Sequence, residues 1–156
     1  MSDKLPEHIS IIMDGNRRYA SDSGLAATLG HRAGKEKLED VMDWVLEIGV
    51  PYLTVYALST ENISSRKPDE LEALFNLYVE GLNDLAIDER IHKNHVKVRV
   101  VGRMDLLPQN VLEAIENTEK VTADYDKFVF TVCLAYGSRE EIIEAVREIA
   151  KEHAKG

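Results

Sequence analysis

Four times along this chain, a short apolar run rich in β-branched residues gives way to a longer stretch with apolar residues at helical spacing. The runs are 9–13, 52–58, 96–101 and 128–135. Strict alternation within 96–101 predicts a strand with one partly exposed face, whereas 9–13 reads as a buried strand. The stretches between them are 33–48, 69–87, a segment after Pro108, and 139–153. Each carries an apolar stripe: Leu38, Val41, Met42, Val45 and Leu46 in the first, and Ile142, Ile143, Val146 and Ile149 in the last. Strand followed by helix, repeated, predicts an α/β fold: a parallel sheet of about four strands with flanking helices and right-handed crossovers. With 156 residues, the chain suits one domain over 1–156 and is short for two. It shows no internal repeat, low-complexity tract or Pro/Gly-rich linker.

In an open parallel sheet, ligands gather at the carboxyl ends of the strands. Three of the four segments that follow strands are unusually polar: Asp14 to Arg18, Ser59 to Asn62, and Tyr136 to Arg139. Asp14 suits Mg²⁺, which takes one or two carboxylates and shares its other positions with water and phosphate oxygens. Asp14 equally suits the cap of a helix beginning near Arg17. Gly15 lets the backbone approach a ligand closely, or simply makes a tight turn. Arg17 and Arg18 can clamp a diphosphate bidentately. His31, in Gly-His-Arg-Ala-Gly, is expected near a helix start, where free backbone N–H groups attract anions; a helix-entry residue without a ligand is the plainer reading. Ser59, Thr60, Glu61 and Asn62 can bind an oxyanion or relay a proton, and the same residue types cap helices and make turns. Arg66 lies four residues on, either within reach of the same pocket or on the surface.

Bulk properties exclude several classes. The net charge of −9 leaves no basic face for nucleic acid. Cys133 is alone, so no intrachain disulfide forms; it reads as a small core residue in a reducing compartment. His92 and His95 have no metal-ligand spacing and read as loop residues. No zinc pattern, phosphate-binding glycine loop or nucleophile elbow occurs. No signal-peptide core is present, and no apolar run approaches the roughly 20 residues of a membrane span. A cytoplasmic protein, at most peripheral to a membrane, is expected.

Taken together, the polar segments resemble a family. His8 to Ala20, Gly30 to Gly34, Leu53 to Asn62 and Ala135 to Ile142 are similar, in order and spacing, to motifs of the cis-prenyltransferases. That group includes undecaprenyl and dehydrodolichyl diphosphate synthases. The Arg17-Arg18 pair is closer to archaeal and eukaryotic members than to the usual bacterial Gly-Arg. The resemblance implies Mg²⁺-dependent condensation of isopentenyl diphosphate with an allylic diphosphate such as farnesyl or geranylgeranyl diphosphate, giving a polyprenyl diphosphate. By position, Asp14 would be the Mg²⁺ ligand and catalytic, with Asn62 at the position assigned to proton removal. Gly15, Asn16, Arg17, Arg18 and His31 would bind the allylic diphosphate, and Tyr19 fills the aromatic position that follows. Ser59, Thr60 and Glu61 would contact substrate, as would Arg66 in a register shifted by one residue. An amide is a poor base, so Asn62 would orient a proton path toward Ser59 or released phosphate. The face of 69–87 bearing Leu71, Leu74, Phe75 and Tyr78 would line a tunnel for the growing chain, or pack as ordinary core.

The chain departs from the family pattern at Ala27, where many bacterial members have arginine, at Ile63, at Ser64-Ser65 and at Ser138. The family's later Arg-Thr-Ser-Gly-Glu and Arg-Leu-Ser motifs, much of the isopentenyl diphosphate site, have no counterpart in these residues. The expectation is therefore the allylic half of a prenyl-transfer site, working as a homodimer or in a heteromer with a chain that supplies the C-terminal motif. The alternative is a non-catalytic partner or isoprenoid-diphosphate-binding subunit.

Overall fold

The chain builds one sheet of four parallel strands in the order β1-β2-β4-β3. The strands are β1 (His8–Ile12), β2 (Tyr52–Tyr56), β3 (Val96–Val101) and β4 (Phe128–Cys133). The helices are α1 (Asn16–Asp22), α2 (Ala27–Ile48), α3 (Thr60–Ser65), α4 (Pro68–Ile87), α5 (Glu89–Lys93), α6 (Gln109–Val121) and α7 (Ser138–Ala154). This computed structural model describes residues 4–155.

Register sorts the side chains. Ile9 pairs with Leu53, Leu53 with Phe130, and Phe130 with Val98, so these four share one face of the sheet. On that face Met42 and Val45 of α2 and Ile91 of α5 complete one core cluster. A second gathers Leu82 of α4, Val111, Ala114 and Ile115 of α6, and Leu58 and Leu134 just beyond the strand ends. Cys133 is buried, and burial pushes its thiol upward, as expected of a core residue. The opposite face is more polar: His8 Nε2 and Thr54 Oγ1 lie 2.8 Å apart across β1 and β2.

Strand order decides where chemistry can collect. The three strands followed by polar segments, β1, β2 and β4, are neighbours, while β3 lies at the far edge. A bridge between Ser59 and Tyr136 extends the β2–β4 pairing into two of those segments.

Several expectations need correction. The 9–13 run is not a buried strand: β1 is an edge strand among the described residues, with Ile9 and Ile11 half-buried and Ile12 77% exposed. Strands read as 52–58 and 128–135 end at Tyr56 and Cys133, after which Leu58, Leu134 and Ala135 stay buried and keep isolated backbone hydrogen bonds to neighbouring segments outside the regular strands. α2 begins at Ala27, six residues before the apolar periodicity becomes visible. His92 belongs to α5, where it lies 2.8 Å from the Tyr125 hydroxyl and 3.0 Å from the Ala86 carbonyl oxygen. The stripe of α7 is not packed: Ile142, Ile143, Val146 and Ile149 are all at least half exposed, because no element among the described residues packs extensively on that helix.

Candidate active site

The site begins where β1 ends. Gly15 is the N-cap of α1 with φ of 96°, a left-handed conformation that lets the chain turn from strand into helix within three residues. Asp14 does not cap α1 through the helix's inner N–H groups. Its Oδ1 accepts the Gly15 N–H at 2.6 Å and its Oδ2 accepts from Arg18 at 3.2 Å, with both side chains nearly four-fifths exposed. α1 lies tightly on α2. A Cβ at Gly30 would stand 2.2 Å from the Asn16 carbonyl oxygen, and the Asn16 side chain sits over Gly34. The Gly-His-Arg-Ala-Gly segment thus provides the flat face on which the Asp-Gly-Asn-Arg-Arg segment rests.

His31 is not at a helix terminus. It sits inside α2, a full turn past Ala27, so its backbone N–H is not free to bind an anion. The side chain carries the interaction instead. It is mostly buried, and its shielded Nε2 lies 3.7 Å from Glu70 Oε1, an ion-pair distance too long for a hydrogen bond. Burial pushes its pKa below the ordinary histidine value, Arg66 and Arg17 push it further down, and Glu70 opposes them.

Beyond β2, Ser59 is the N-cap of α3, and its Oγ accepts the Asn62 N–H at 3.0 Å. The capping reading of Ser59 is what the geometry realises, and it fixes Asn62 one turn into the helix. Arg66 follows α3 and donates to Glu70, with both side chains mostly but not fully buried. Arg17 Nε approaches the same Glu70 oxygen at 3.5 Å.

These groups surround the mouth of a cavity of about 550 Å³ between the sheet, α2 and α4. Asp14, Gly15, Asn16, Arg17, Arg18, His31, Ser59, Asn62 and Arg66 all line it. Deeper in, the walls are apolar: Leu38 and Met42 from α2, Leu74, Leu77 and Leu85 from α4, and Val55, Phe130 and Val132 from the sheet. Tyr78 also lines it; its hydroxyl donates to the Ala57 carbonyl at 3.1 Å and burial pushes its pKa up to about 12. Charged groups line it as well: Lys35 Nζ lies 2.7 Å from Asp84 of α4 and 3.2 Å from Glu39 of its own helix, and Asp88 and Arg90 join them. A cationic mouth over an apolar interior suits an amphiphile with an anionic head and a hydrocarbon tail.

Residues 12–156 match the model of a prenyltransferase family described as putative undecaprenyl diphosphate synthase. The chain belongs to that family. Among its relatives, a tritrans,polycis-undecaprenyl-diphosphate synthase (geranylgeranyl-diphosphate specific) from Methanopyrus kandleri is 53% identical over 147 residues, 94% of this chain and 54% of that protein. The enzyme of the same name from Thermococcus kodakarensis is 44% identical and is matched over 99% of this chain and 58% of its own length. A crystal structure of lavandulyl diphosphate synthase from Lavandula x intermedia in complex with dimethylallyl diphosphate superposes with a TM-score of 0.89 at 30% identity. That match covers 96% of this chain and 64% of the plant protein. A probable undecaprenyl diphosphate synthase from Campylobacter jejuni gives 0.76 at 27% identity, with the same coverage. The chain thus spans a little over half the length of the curated relatives it matches.

Not every residue that the prenyltransferase motifs single out joins the cavity. Tyr19 is 57% exposed and outside the lining. Thr60 is buried and donates to the Glu61 carboxylate at 3.3 Å, and neither lines the cavity. Glu61 is exposed; its own backbone N–H and the Ser59 hydroxyl hold its carboxyl below the usual range. Of the face of 69–87 read as a tunnel wall, Leu74 and Tyr78 line the cavity, while Phe75 packs in the second core cluster. Lys35, Leu77 and Leu85 join the lining without having been singled out as site residues from the sequence; Glu70, equally unmarked, joins the ion cluster with Arg17, His31 and Arg66, outside the lining itself. For Glu70 a signal existed, since it stands four residues after Arg66 in the first turn of a helix opened by Pro68.

The donor set at Asp14 can be tested against a divalent cation. Among the described residues, no three His, Cys, Asp or Glu side chains gather as a metal cage. Asp14 instead offers one exposed carboxylate at the rim, beside arginines that attract phosphate. That set fits Mg²⁺ carried largely by phosphate oxygens and water.

Proposed function

We propose that this chain forms the allylic-diphosphate side of a cis-prenyl transfer site. The reaction would condense isopentenyl diphosphate with an allylic diphosphate to give a polyprenyl diphosphate. The observation that carries this reading is one cavity with arginines at its mouth and leucines inside. Geranylgeranyl diphosphate, named for the archaeal relatives, is the proposed primer. Arg17, Arg18 and Arg66 would hold the diphosphate, and Asp14 would hold Mg²⁺ against it. Bound there, the cation would offset charge that builds on the departing diphosphate. The apolar walls would keep water from the electron-poor allylic carbon. Asn62, fixed by the Ser59 cap, would orient the path by which the condensing partner loses its proton.

The isopentenyl diphosphate side is proposed to come from sequence corresponding to the rest of the relatives' length, on the same polypeptide or on another subunit of a homodimer or heteromer. No helix among the described residues is long and apolar enough to cross a membrane. Delivery of the long product would bring the assembly to a membrane surface from the cytoplasm.

The test is a prenyl-transfer assay with labelled isopentenyl diphosphate, geranylgeranyl diphosphate and Mg²⁺, on the chain joined with the remaining family sequence. Polyprenyl product that disappears in Asp14→Ala is expected. The absence of product from the wild-type assembly, with both substrates bound, would overturn catalysis. Failure of the chain to bind any allylic diphosphate would overturn the site.

A further inference from the structure

Glu70 lies at the crossing of three elements. Its Oε1 accepts from Arg66, lies 3.5 Å from Arg17 Nε of α1, and lies 3.7 Å from His31 Nε2 of α2. This is no surface pair: the His31, Arg66 and Glu70 side chains are 10%, 12% and 15% exposed. Yet one carboxylate does not satisfy the cluster. Arg66 Nε and His31 Nε2 are both buried without a hydrogen-bond partner. Buried polar nitrogens left unpaired are costly and uncommon. Two of them around one acceptor, at the mouth of a cavity, fit an anion with more oxygens than a carboxylate has.

We propose that Glu70 is a built-in surrogate for phosphate, holding the seat formed by Arg17, His31 and Arg66 until a diphosphate displaces it. The inference rests on the proposed diphosphate site and adds a residue with an opposing role inside it. Arg17 and Arg66 are always charged, so without a counter-ion they would repel each other and bind any phosphate tightly. Glu70 neutralises them when no phosphate is present and keeps their guanidinium groups aimed at one point. An entering diphosphate takes over those contacts and offers further oxygens to the two unpaired nitrogens. When pyrophosphate is the ligand to be released, the carboxylate competes for the same donors and shortens its stay. Glu70 is thus a positioning residue that weakens ground-state anion binding in favour of turnover.

The sign of this effect separates it from a purely structural role. A carboxylate that only braced the arginines would, when neutralised, leave them misaligned and weaken anion binding. A surrogate, when neutralised, leaves the seat open and strengthens it. The experiment is calorimetric titration of inorganic pyrophosphate, with magnesium chelated, into the wild-type chain and its Glu70→Gln and Glu70→Asp variants. Glu70→Gln is expected to bind pyrophosphate about tenfold more tightly than wild type. Glu70→Asp keeps the charge but shortens its reach by one methylene, and is expected to fall between, at about threefold. Should Glu70→Gln fail to fold, as judged by its thermal transition, the direction of the Glu70→Asp change alone decides. Binding equal to or weaker than wild type in the folded variants, with wild type binding normally, would overturn the surrogate and leave the diphosphate site standing. Binding by the variants but not by wild type would support it in extreme form. No binding by any of the three would remove the diphosphate site and the surrogate together.

Discussion

His31 Nε2 stands 3.7 Å from Glu70 Oε1, yet the imidazole stays below its ordinary pKa because burial and Arg66 outweigh that carboxylate. The unfolded chain therefore binds a proton at His31 in a pH range where the folded chain does not. The resulting stability is fully present above the ordinary histidine value, about 6.5, and is lost as pH falls from there toward the lower folded value. Between pH 7.5 and 5.5, wild type should lose more of its thermal midpoint than His31→Gln. Equal losses would show that His31 does not titrate as its surroundings require.

The same relationship couples protons to ligand. A diphosphate seated beside His31 adds negative charge and favours the imidazolium. Pyrophosphate binding near pH 6.5 should take up a fraction of a proton, read as a dependence of calorimetric enthalpy on the ionisation enthalpy of the buffer. His31→Gln should abolish the His31 share of that uptake.

Ser59 was legible in the sequence both as a site residue and as a cap; it caps α3 and also lines the cavity. Removing the hydroxyl leaves the Asn62 N–H without its 3.0 Å acceptor. Ser59→Ala should cost about 1 kcal/mol in denaturant unfolding. In the full assembly it should lower kcat more than KM, because Asn62 loses its fixed position rather than the diphosphate its ligands.

What could be read from the sequence divides along a physical line. The four strands follow from short β-branched apolar runs, legible even for the half-exposed edge strand β1, and their parallel arrangement follows from the helical stretches between them. α1 was legible only as the alternative of a helix beginning near Arg17, because of its seven residues only Ala20 is buried, too few to leave a period. The start of α2 was missed for the same reason: between Ala27 and His31 the buried residue is Gly30, whose contribution is an absent side chain. Asp14, the arginines and Asn62 were found through their motifs, whereas Glu70 belongs to no motif and shows its role only when four segments converge. The exposed stripe of α7 is the converse case, where periodicity correctly gave a helix but could not say what covers it.

Glycine-to-alanine substitutions at two helical positions should change stability in opposite directions. In a helix interior, alanine is favoured over glycine by about 1 kcal/mol, since glycine loses more backbone freedom on folding. Gly81 of α4 lines the cavity, and a Cβ there meets only the Lys35 Cε at 3.4 Å, the end of a flexible chain. Gly81→Ala should therefore stabilise the chain by about 0.5–1 kcal/mol. At Gly30 the same atom would stand 2.2 Å from the Asn16 carbonyl oxygen and 2.9 Å from Ala20 Cβ, so α1 must lift off α2. Gly30→Ala should destabilise by about 1–3 kcal/mol, despite the propensity gain, and should weaken pyrophosphate binding because Arg17 and Arg18 ride on α1. Gly81→Leu extends the contrast to function: it fills the apolar interior while leaving the mouth intact. It should weaken binding of geranylgeranyl diphosphate with little effect on pyrophosphate, measured side by side by calorimetry. Equal weakening of both ligands would mean that the cavity does not hold the hydrocarbon tail.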